Sequence, residues 1–259
     1  VFDAAAFQSL RRSTWGASLE WHVTIESTQD AMRDRVQHVG VETGAVIGAE
    51  AQSAGRGRWG RTWEGVAGHS LLFTLAVPTA HLRGSLSQAP LVLGVGLLRG
   101  LERLGLQSLE LRWPNDLTWQ GRKLAGLLLE QEGGQLLIGL GVNVAQDADA
   151  FSEEIRERAA SLKQAGLKEL RREPLLAALL QGMEAAWESW QSGGFETLRR
   201  DWEAMAEGKG ALLTIQPTAG EAWTGRWAGL DESGALKVQP ESGPLRLLVS
   251  GEVQRLLFP

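Results

Sequence analysis

Apolar positions along the chain repeat with two periods, and the points where one period gives way to the other outline its elements. Residues 4–10 form a short amphipathic stretch, and residues 21–25 read as a strand. Ser27 followed three positions later by Asp30 is a capping-box pattern, which predicts a helix running to about residue 39. Strands are expected at 45–51 and 71–77. From 86 to 104 nearly every face is apolar, so a buried helix against a sheet is expected, with Gly94, Gly96 and Gly100 permitting close packing. Four strand-like runs follow at 109–113, 116–119, 123–131 and 136–144. Gln120-Gly121 and Gly133-Gly134 are turn signals between them, which predicts consecutive antiparallel hairpins. Helical periodicity returns at 161–170, 174–190 and 195–205. After Gly208-Lys209-Gly210, short strands at 212–215, 222–228, 235–239, 245–248 and 253–256 suggest a small barrel, with Asp231-Glu232-Ser233-Gly234 as one of its turns.

This order describes an α+β chain, a mixed, largely antiparallel sheet packed with helices and followed by a small β-barrel. At 259 residues the chain is near the upper size of one core, so two unequal domains are expected, 1–207 and 208–259. Composition narrows the chemistry. The hydrophobic content of 43% and charged content of 22% are those of a globular protein, and no apolar run is long enough to span a membrane. The first residues lack the basic and apolar regions of a secretory signal, so a cytoplasmic location is expected. The absence of cysteine excludes disulfides, thiolate metal ligands and a thiol nucleophile, and His22, His38, His69 and His81 have no ligand spacing, so no protein-bound metal is expected. A net charge of -5 argues against a broad nucleic-acid surface and requires that any cationic chemistry be local.

Three glycines and three arginines lie in Gln52-Ser53-Ala54-Gly55-Arg56-Gly57-Arg58-Trp59-Gly60-Arg61-Thr62-Trp63. Gly55, Gly57 and Gly60 have the spacing of a dinucleotide fingerprint, but no apolar helix can start at Thr62-Trp63-Glu64 and no ribose-binding acid follows at the required distance. The segment reads either as a solvated arginine loop or as a cradle of backbone N–H groups and guanidiniums for phosphate or carboxylate. Further on, Arg112-Trp113-Pro114-Asn115-Asp116 precedes Lys123-Leu124-Ala125-Gly126. The chain has only five lysines against twenty-one arginines, and Lys123 is the first of them. An ammonium is a compact point charge able to contact two anions, where a guanidinium is a planar fork. Gly139 and Gly141, before Asn143, mark either a bulged strand or the close approach of a ligand.

Together, Ser27 to Asp30, Gln52 to Trp63, Arg112 to Glu130 and Gly139 to Asn143 closely resemble the biotin protein ligases, also called biotin-[acetyl-CoA-carboxylase] ligases. The resemblance covers roughly residues 20–205, a class II synthetase-like catalytic domain, and the C-terminal strands resemble that family's SH3-like barrel. It implies formation of biotinyl-5'-AMP from biotin and ATP with Mg2+, then transfer of biotin to a lysine of a biotin carboxyl carrier protein domain. By the resemblance, Ser27, Thr28, Gln29 and Gln52 hold the biotin head. Gly55, Arg56, Gly57, Arg58, Gly126, Gly139 and Gly141 close around it. Lys123 sits between the biotin carboxylate and the α-phosphate, with Arg58 and Arg61 toward the nucleotide. Trp63 packs on adenine, Asn143 reads its edge and Asn115 helps place the phosphates. Lys123, Arg58 and Asp116 are the expected catalytic residues, Asp116 being either the base for the carrier lysine or a turn cap. Gln29 and Arg112 depart from the Asn and Lys of many members.

Such chemistry joins two anions and is served by cations and positioning without histidine or cysteine. Lipoate-protein ligase is the alternative within the same fold, although its Arg-Arg-x-x-Gly-Gly-Gly pattern is absent. The stretch before Trp21 is too short for a winged helix, so no operator binding is expected of this chain. A homodimer through sheet edges is an expectation by symmetry alone.

Overall fold

A computed structural model describes residues 1–80, 82–217 and 220–255. His81 and Leu256, the last residue of the expected final strand, lie outside the described residues. The larger unit is a seven-stranded sheet in the order β1-β2-β3-β7-β6-β5-β4. Its strands are β1 (Leu19–Ile25), β2 (Ala45–Gln52), β3 (Ser70–Pro78), β4 (Leu109–Arg112), β5 (Asp116–Trp119), β6 (Arg122–Glu132) and β7 (Gln135–Asn143). Each neighbouring pair is antiparallel except β1 and β2, which run parallel and are joined by helix α2 (Thr28–His38). The expected mixed sheet and its hairpins are present.

Alternation along the strands gives the sheet two unlike faces. Leu71, Phe73 and Leu75 of β3 and Ile138, Leu140 and Val142 of β7 belong to the main core. Helices α3 (Ala89–Glu102), α4 (Arg172–Gly193) and α5 (Phe195–Met205) cover that side. Gly96 and Gly182 let α3 and α4 touch by backbone, since a Cβ on Gly182 would stand 2.2 Å from the Gly96 carbonyl oxygen. Helix α1 (Ala4–Leu10) rests on α4, and the buried carboxylate of Glu50 ties β2 to α4. Glu50 takes hydrogen bonds from Arg172 at 2.7 and 3.1 Å, from the Phe2 N–H at 2.7 Å and from Trp21 Nε1 at 3.0 Å. The opposite face is covered only partly, by α2, through Met32 against Ile47, Ala76 and Leu137.

Two expectations change. The apolar run at 86–104 starts as a tight 310 turn at Leu86–Gln88 and becomes α-helix at Ala89, with Pro90 in the first turn. Residues 161–170 are turns rather than a helix. Two of their N–H groups bond at the end of β7, Leu162 to the Asn143 carbonyl and Lys163 to that of Val144, both at 2.9 Å. Gly166, at a φ of 100°, breaks any continuing helix. Leu162 and Leu167 are buried with Ala165 and Leu170 packed against the same core, and the three-residue steps 162/165 and 167/170 imitate a helical stripe.

The C-terminal strands β8 (Leu212–Gln216), β9 (Trp223–Leu230), β10 (Leu236–Pro240), β11 (Arg246–Leu248) and β12 (Glu252–Arg255) form a second, antiparallel sheet in the order β11-β10-β9-β8-β12, consistent with an SH3-like unit. The Asp231–Gly234 turn is closed by Asp231 Oδ1, which accepts from the Ser233 and Ala235 N–H groups at 2.9 and 2.8 Å. Trp113 Nε1 donates to the Gly234 carbonyl at 3.1 Å, joining this sheet to the turn before β5.

Candidate active site

The partly covered face of the large sheet collects the motif residues on a floor of glycine. Gly126 of β6 is paired with Gly141 of β7, and Gly139 lies two positions along β7 on the same side. A Cβ on Gly141 would stand 2.2 Å from the Trp63 ring, one on Gly126 2.7 Å from Lys123 Cε, and one on Gly139 2.6 Å from Gln29 Oε1. Trp63, Lys123 and Gln29 can lie against the strands only because these three positions carry no side chain.

Lys123 reaches this face through a bulge. Leu117 pairs with Ala125 and Thr118 with Lys123, which leaves Leu124 as an extra residue in β6. Leu124 and Ala125 are both buried in the core, and the doubled step returns Lys123 to the side of Gly126. Its backbone is fixed by the Arg158 carbonyl at 2.7 Å and the Ala160 N–H at 2.9 Å. The ammonium stands 2.8 Å from Asp116 Oδ1 and 5.3 Å from the centre of the Trp63 ring.

The glycine-arginine segment doubles back as a hairpin. Arg56 bridges to Thr62, the Gly57 N–H donates to the Arg61 carbonyl at 2.7 Å, and the Trp63 N–H donates to that of Gly55 at 2.9 Å. At its tip is a 310 turn, Arg58–Gly60, where Trp59 has a φ of 56° and is 44% exposed. The guanidiniums of Arg58 and Arg61 lie 4.6 and 5.6 Å from the centre of the Trp59 ring. Arg58 Nη1 also donates to Asn115 Oδ1 at 3.0 Å, and Asn115 Nδ2 donates to the Leu127 carbonyl at 2.6 Å. Arg56 has different partners, donating to Asp30 at 2.5 Å and to Glu130 at 2.9 Å.

Around the start of α2, Ser27 Oγ accepts from the Asp30 N–H at 3.3 Å as the helix cap. The Thr28 N–H and hydroxyl both point to Gln52 Oε1, at 2.7 and 3.0 Å. Thr74 Oγ1 lies 2.9 Å from Thr28 Oγ1 and 3.1 Å from Gln29 Oε1. Asn143 is buried, with its amide nitrogen 3.1 Å from the Ala160 carbonyl and 3.4 Å from that of Lys123, and its oxygen accepts from Gln146 at 3.3 Å. Asn143 is therefore engaged behind Lys123, in holding the segment that fixes that lysine.

Thr74 and Arg33 join the site without having been singled out in the sequence, and Asp30 and Glu130, quoted there only as a helix-cap acid and as the end of a motif, join it as partners of Arg56. Thr74 had a signal, as the one polar residue in the apolar run 71–77. Burial pushes the Asp30 carboxyl up, but hydrogen bonds from Arg33 and Arg56 outweigh it and hold the group below its ordinary range. Among the described residues, no group of three or more His, Cys, Asp and Glu side chains could hold a metal ion. No helix among them is long and apolar enough to cross a membrane.

The arrangement offers a glycine-floored bed with one strand-fixed ammonium, an indole seated directly on that floor, and loop-borne guanidiniums at one end. Such a bed suits a ligand with a neutral polar head and an anionic tail. Comparisons with known proteins agree. A family model described as the biotin/lipoate A/B protein ligase family matches residues 21–147. The bifunctional ligase/repressor BirA of Escherichia coli (strain K12) is 30% identical over 92% of this chain and 74% of its own length. A biotin--[acetyl-CoA-carboxylase] ligase of Paracoccus denitrificans is 31% identical over 79% of this chain and 88% of its own. Among solved structures, the biotin protein ligase from Aquifex aeolicus in complex with biotin and ATP superposes with a TM-score of 0.81 at 28% identity, covering 93% of this chain and 100% of that one.

Proposed function

Since the chain belongs to the biotin protein ligases, we propose that biotin binds beside the indole that covers Gly126 and Gly141, with its carboxylate directed at Lys123. ATP enters beneath the Arg58–Arg61 turn. The carboxylate oxygen attacks the α-phosphorus, pyrophosphate leaves, and biotinyl-5'-AMP remains. The ammonium of Lys123 neutralises both partners at the point where like charges meet, and the bulge that fixes it makes this a matter of preset geometry. Arg58 and Arg61 supply the charge for the remaining phosphate oxygens, and Mg2+ enters as the counter-ion of ATP and belongs to the substrate. The observation that carries this reading is the Lys123 ammonium set between Asp116 and Trp63 over Gly126.

In the second step a lysine amine of a biotin carboxyl carrier domain attacks the acyl carbon and AMP departs. Asp116, released from Lys123 when the ammonium turns to the anion, takes the proton of the attacking amine. Ser27, Thr28 and Gln52 face the biotin head, and the Gly55–Arg58 backbone closes over it. Residues 1–207 act as the catalytic unit and 208–259 as an appended barrel. A reaction that consumes ATP is placed in the cytoplasm. The β1 edge, with Val23 68% exposed, is the surface for pairing with a second copy.

The test is pyrophosphate release on adding biotin and MgATP, with mass spectrometry of the bound product. Biotinyl-5'-AMP formed with biotin and absent with lipoate supports the reading. An adduct formed with lipoate alone overturns it.

A further inference from the structure

At the root of the glycine-arginine loop, four charged side chains close a ring. Asp30 lies in the first turn of α2 and Arg33 one turn later, Glu130 lies near the end of β6, and Arg56 lies in the loop itself. Arg33 Nη1 donates to Asp30 Oδ1, and Arg56 Nη1 donates to the same oxygen at 2.5 Å. Across the ring, Arg33 Nη2 donates to Glu130 Oε2 at 2.5 Å and Arg56 Nη2 to Glu130 Oε1 at 2.9 Å. Each acid thus contacts both bases, and the four formal charges sum to zero. An isolated surface pair contributes little to stability, but a closed network with both guanidinium ends engaged has the geometry in which such pairs do contribute.

Three of the four residues stand on rigid elements, a helix and a strand, and only Arg56 is borne by the loop. Holding its guanidinium fixes the backbone of Gly55 and Gly57 on either side. Gly55 accepts from the Trp63 N–H and Gly57 donates to the Arg61 carbonyl, so the same grip sets the return strand of the hairpin. That strand lays Trp63 over Gly126 and Gly141. A helix and a strand that touch the ligand bed are thereby linked through one guanidinium to the indole seated on it.

We propose that Asp30, Arg33 and Glu130 are positioning residues that hold the loop in its seated form through Arg56, so that biotin meets an indole wall already in place. The guanidinium of Arg56 serves the loop, and the ligand-facing charges at the tip belong to Arg58 and Arg61. The consequence for biotin affinity rests on the proposed reaction, whereas the grip on the loop does not.

Limited trypsinolysis of the whole chain, with cuts scored at Arg58 and Arg61 by mass spectrometry, tests the grip. Glu130→Gln and Arg56→Met should each speed cleavage about fivefold, the effect of roughly one lost network contact. The double variant should be cut no faster than Arg56→Met alone, because both remove one coupling. Raising NaCl from low to high concentration should speed cleavage of the parent and leave Arg56→Met unchanged, since these groups are partly exposed and screened by salt. In kinetics, Glu130→Gln should raise the KM for biotin by a similar factor with kcat for adenylation within about twofold. Cleavage of Arg56→Met at the parent rate, or a double variant in which the two effects multiply, overturns the proposal. A kcat that falls with no change in KM overturns it as well. Absence of any adenylate from the parent would sink the proposed reaction while leaving the proteolysis result to decide the ring.

Discussion

The two faces of the seven-stranded sheet are made from the same strands and solve opposite problems. On β7, Leu136, Ile138, Leu140 and Val142 face the helices and fill volume, while the alternating positions are Leu137, Gly139, Gly141 and Asn143. Near α2 the second face still carries Leu137 and Ala76. Toward Lys123 it is opened by Gly126, Gly139 and Gly141, between Leu72 and Leu128. Burial of apolar volume stabilises the first face, and removal of side chains makes the second face usable. What the site lacks in packing it recovers through the hairpin, whose Trp63 lies where side chains would otherwise stand. Stability and function are thus separated by a single residue step along one strand.

The sharpest way to break this contrast is at the one cation fixed on the open face. Lys123→Ala should lower the rate of adenylate formation on the order of 10²–10³-fold, the usual cost of one well-aimed donor, with little change in the unfolding midpoint. Adenylate made at the parent rate would mean that the bulge aims this side chain for nothing. A paired test then sets neighbouring residues against each other. Leu140→Ala should destabilise the fold by about 2–5 kcal/mol in urea unfolding and leave the activity of the folded fraction intact. Gly141→Ala should keep the midpoint but raise the KM for biotin about 5–30-fold, because its Cβ displaces the Trp63 ring and unseats the loop. If the two variants exchanged phenotypes, the division between faces would be wrong.

The core face was largely legible from the chain, and much of the site was not, for a physical reason. Alternation and apolar runs reveal which positions are buried, so the strands from 71 to 144 and the helix beginning at 89 follow from pattern. The segment 161–170 misled because the three-residue steps Leu162–Ala165 and Leu167–Leu170 imitate a helical stripe, while the Leu162 and Lys163 N–H groups bond to the carbonyls of Asn143 and Val144 and Gly166 takes a positive φ. The parallel pairing of β1 with β2 leaves no mark in either strand. Motif residues such as Arg58 and Gly126 are named through the family resemblance, but the bulge at Leu124 that turns Lys123 outward depends on the register between β5 and β6. The ring around Arg56 joins residues up to 100 positions apart in sequence, and only its Asp30–Arg33 pair has a helical spacing that could have been noticed.

Charge behaves differently on the two faces, and pH should show it. Glu50 lies on the core side, where burial pushes its carboxyl up but bonds from Arg172, the Phe2 N–H and Trp21 hold it below the ordinary glutamate range. The unfolded chain then takes up the proton first as pH falls. The contribution of Glu50 is complete above about pH 5 and is lost as pH drops through the lowered folded value, at a slope of at most about 1.4 kcal/mol per pH unit for one proton. Urea unfolding between pH 7 and 3 should show this loss, and Glu50→Gln should flatten that part of the profile. The same series in high salt should change little, since this pair is buried, in contrast to the half-exposed ring around Arg56.

Ser27 gives the smallest expected effect and the finest separation, because it stands where the two roles meet. Its hydroxyl is buried and caps α2 by accepting from the Asp30 N–H. Loss of a cap costs about 1 kcal/mol whatever the protein does. Ser27→Ala should therefore lower stability by about that amount, and Ser27→Asn, which keeps a capping oxygen, should restore it. The ligand bed has a stricter demand, since a longer side chain at 27 intrudes on the space beside Thr28 and Gln52. Both variants should raise the KM for biotin, Ser27→Asn at least as much as Ser27→Ala. Recovery of stability without recovery of KM assigns the hydroxyl to both faces of the problem, and recovery of both in Ser27→Asn would reduce it to a helix cap.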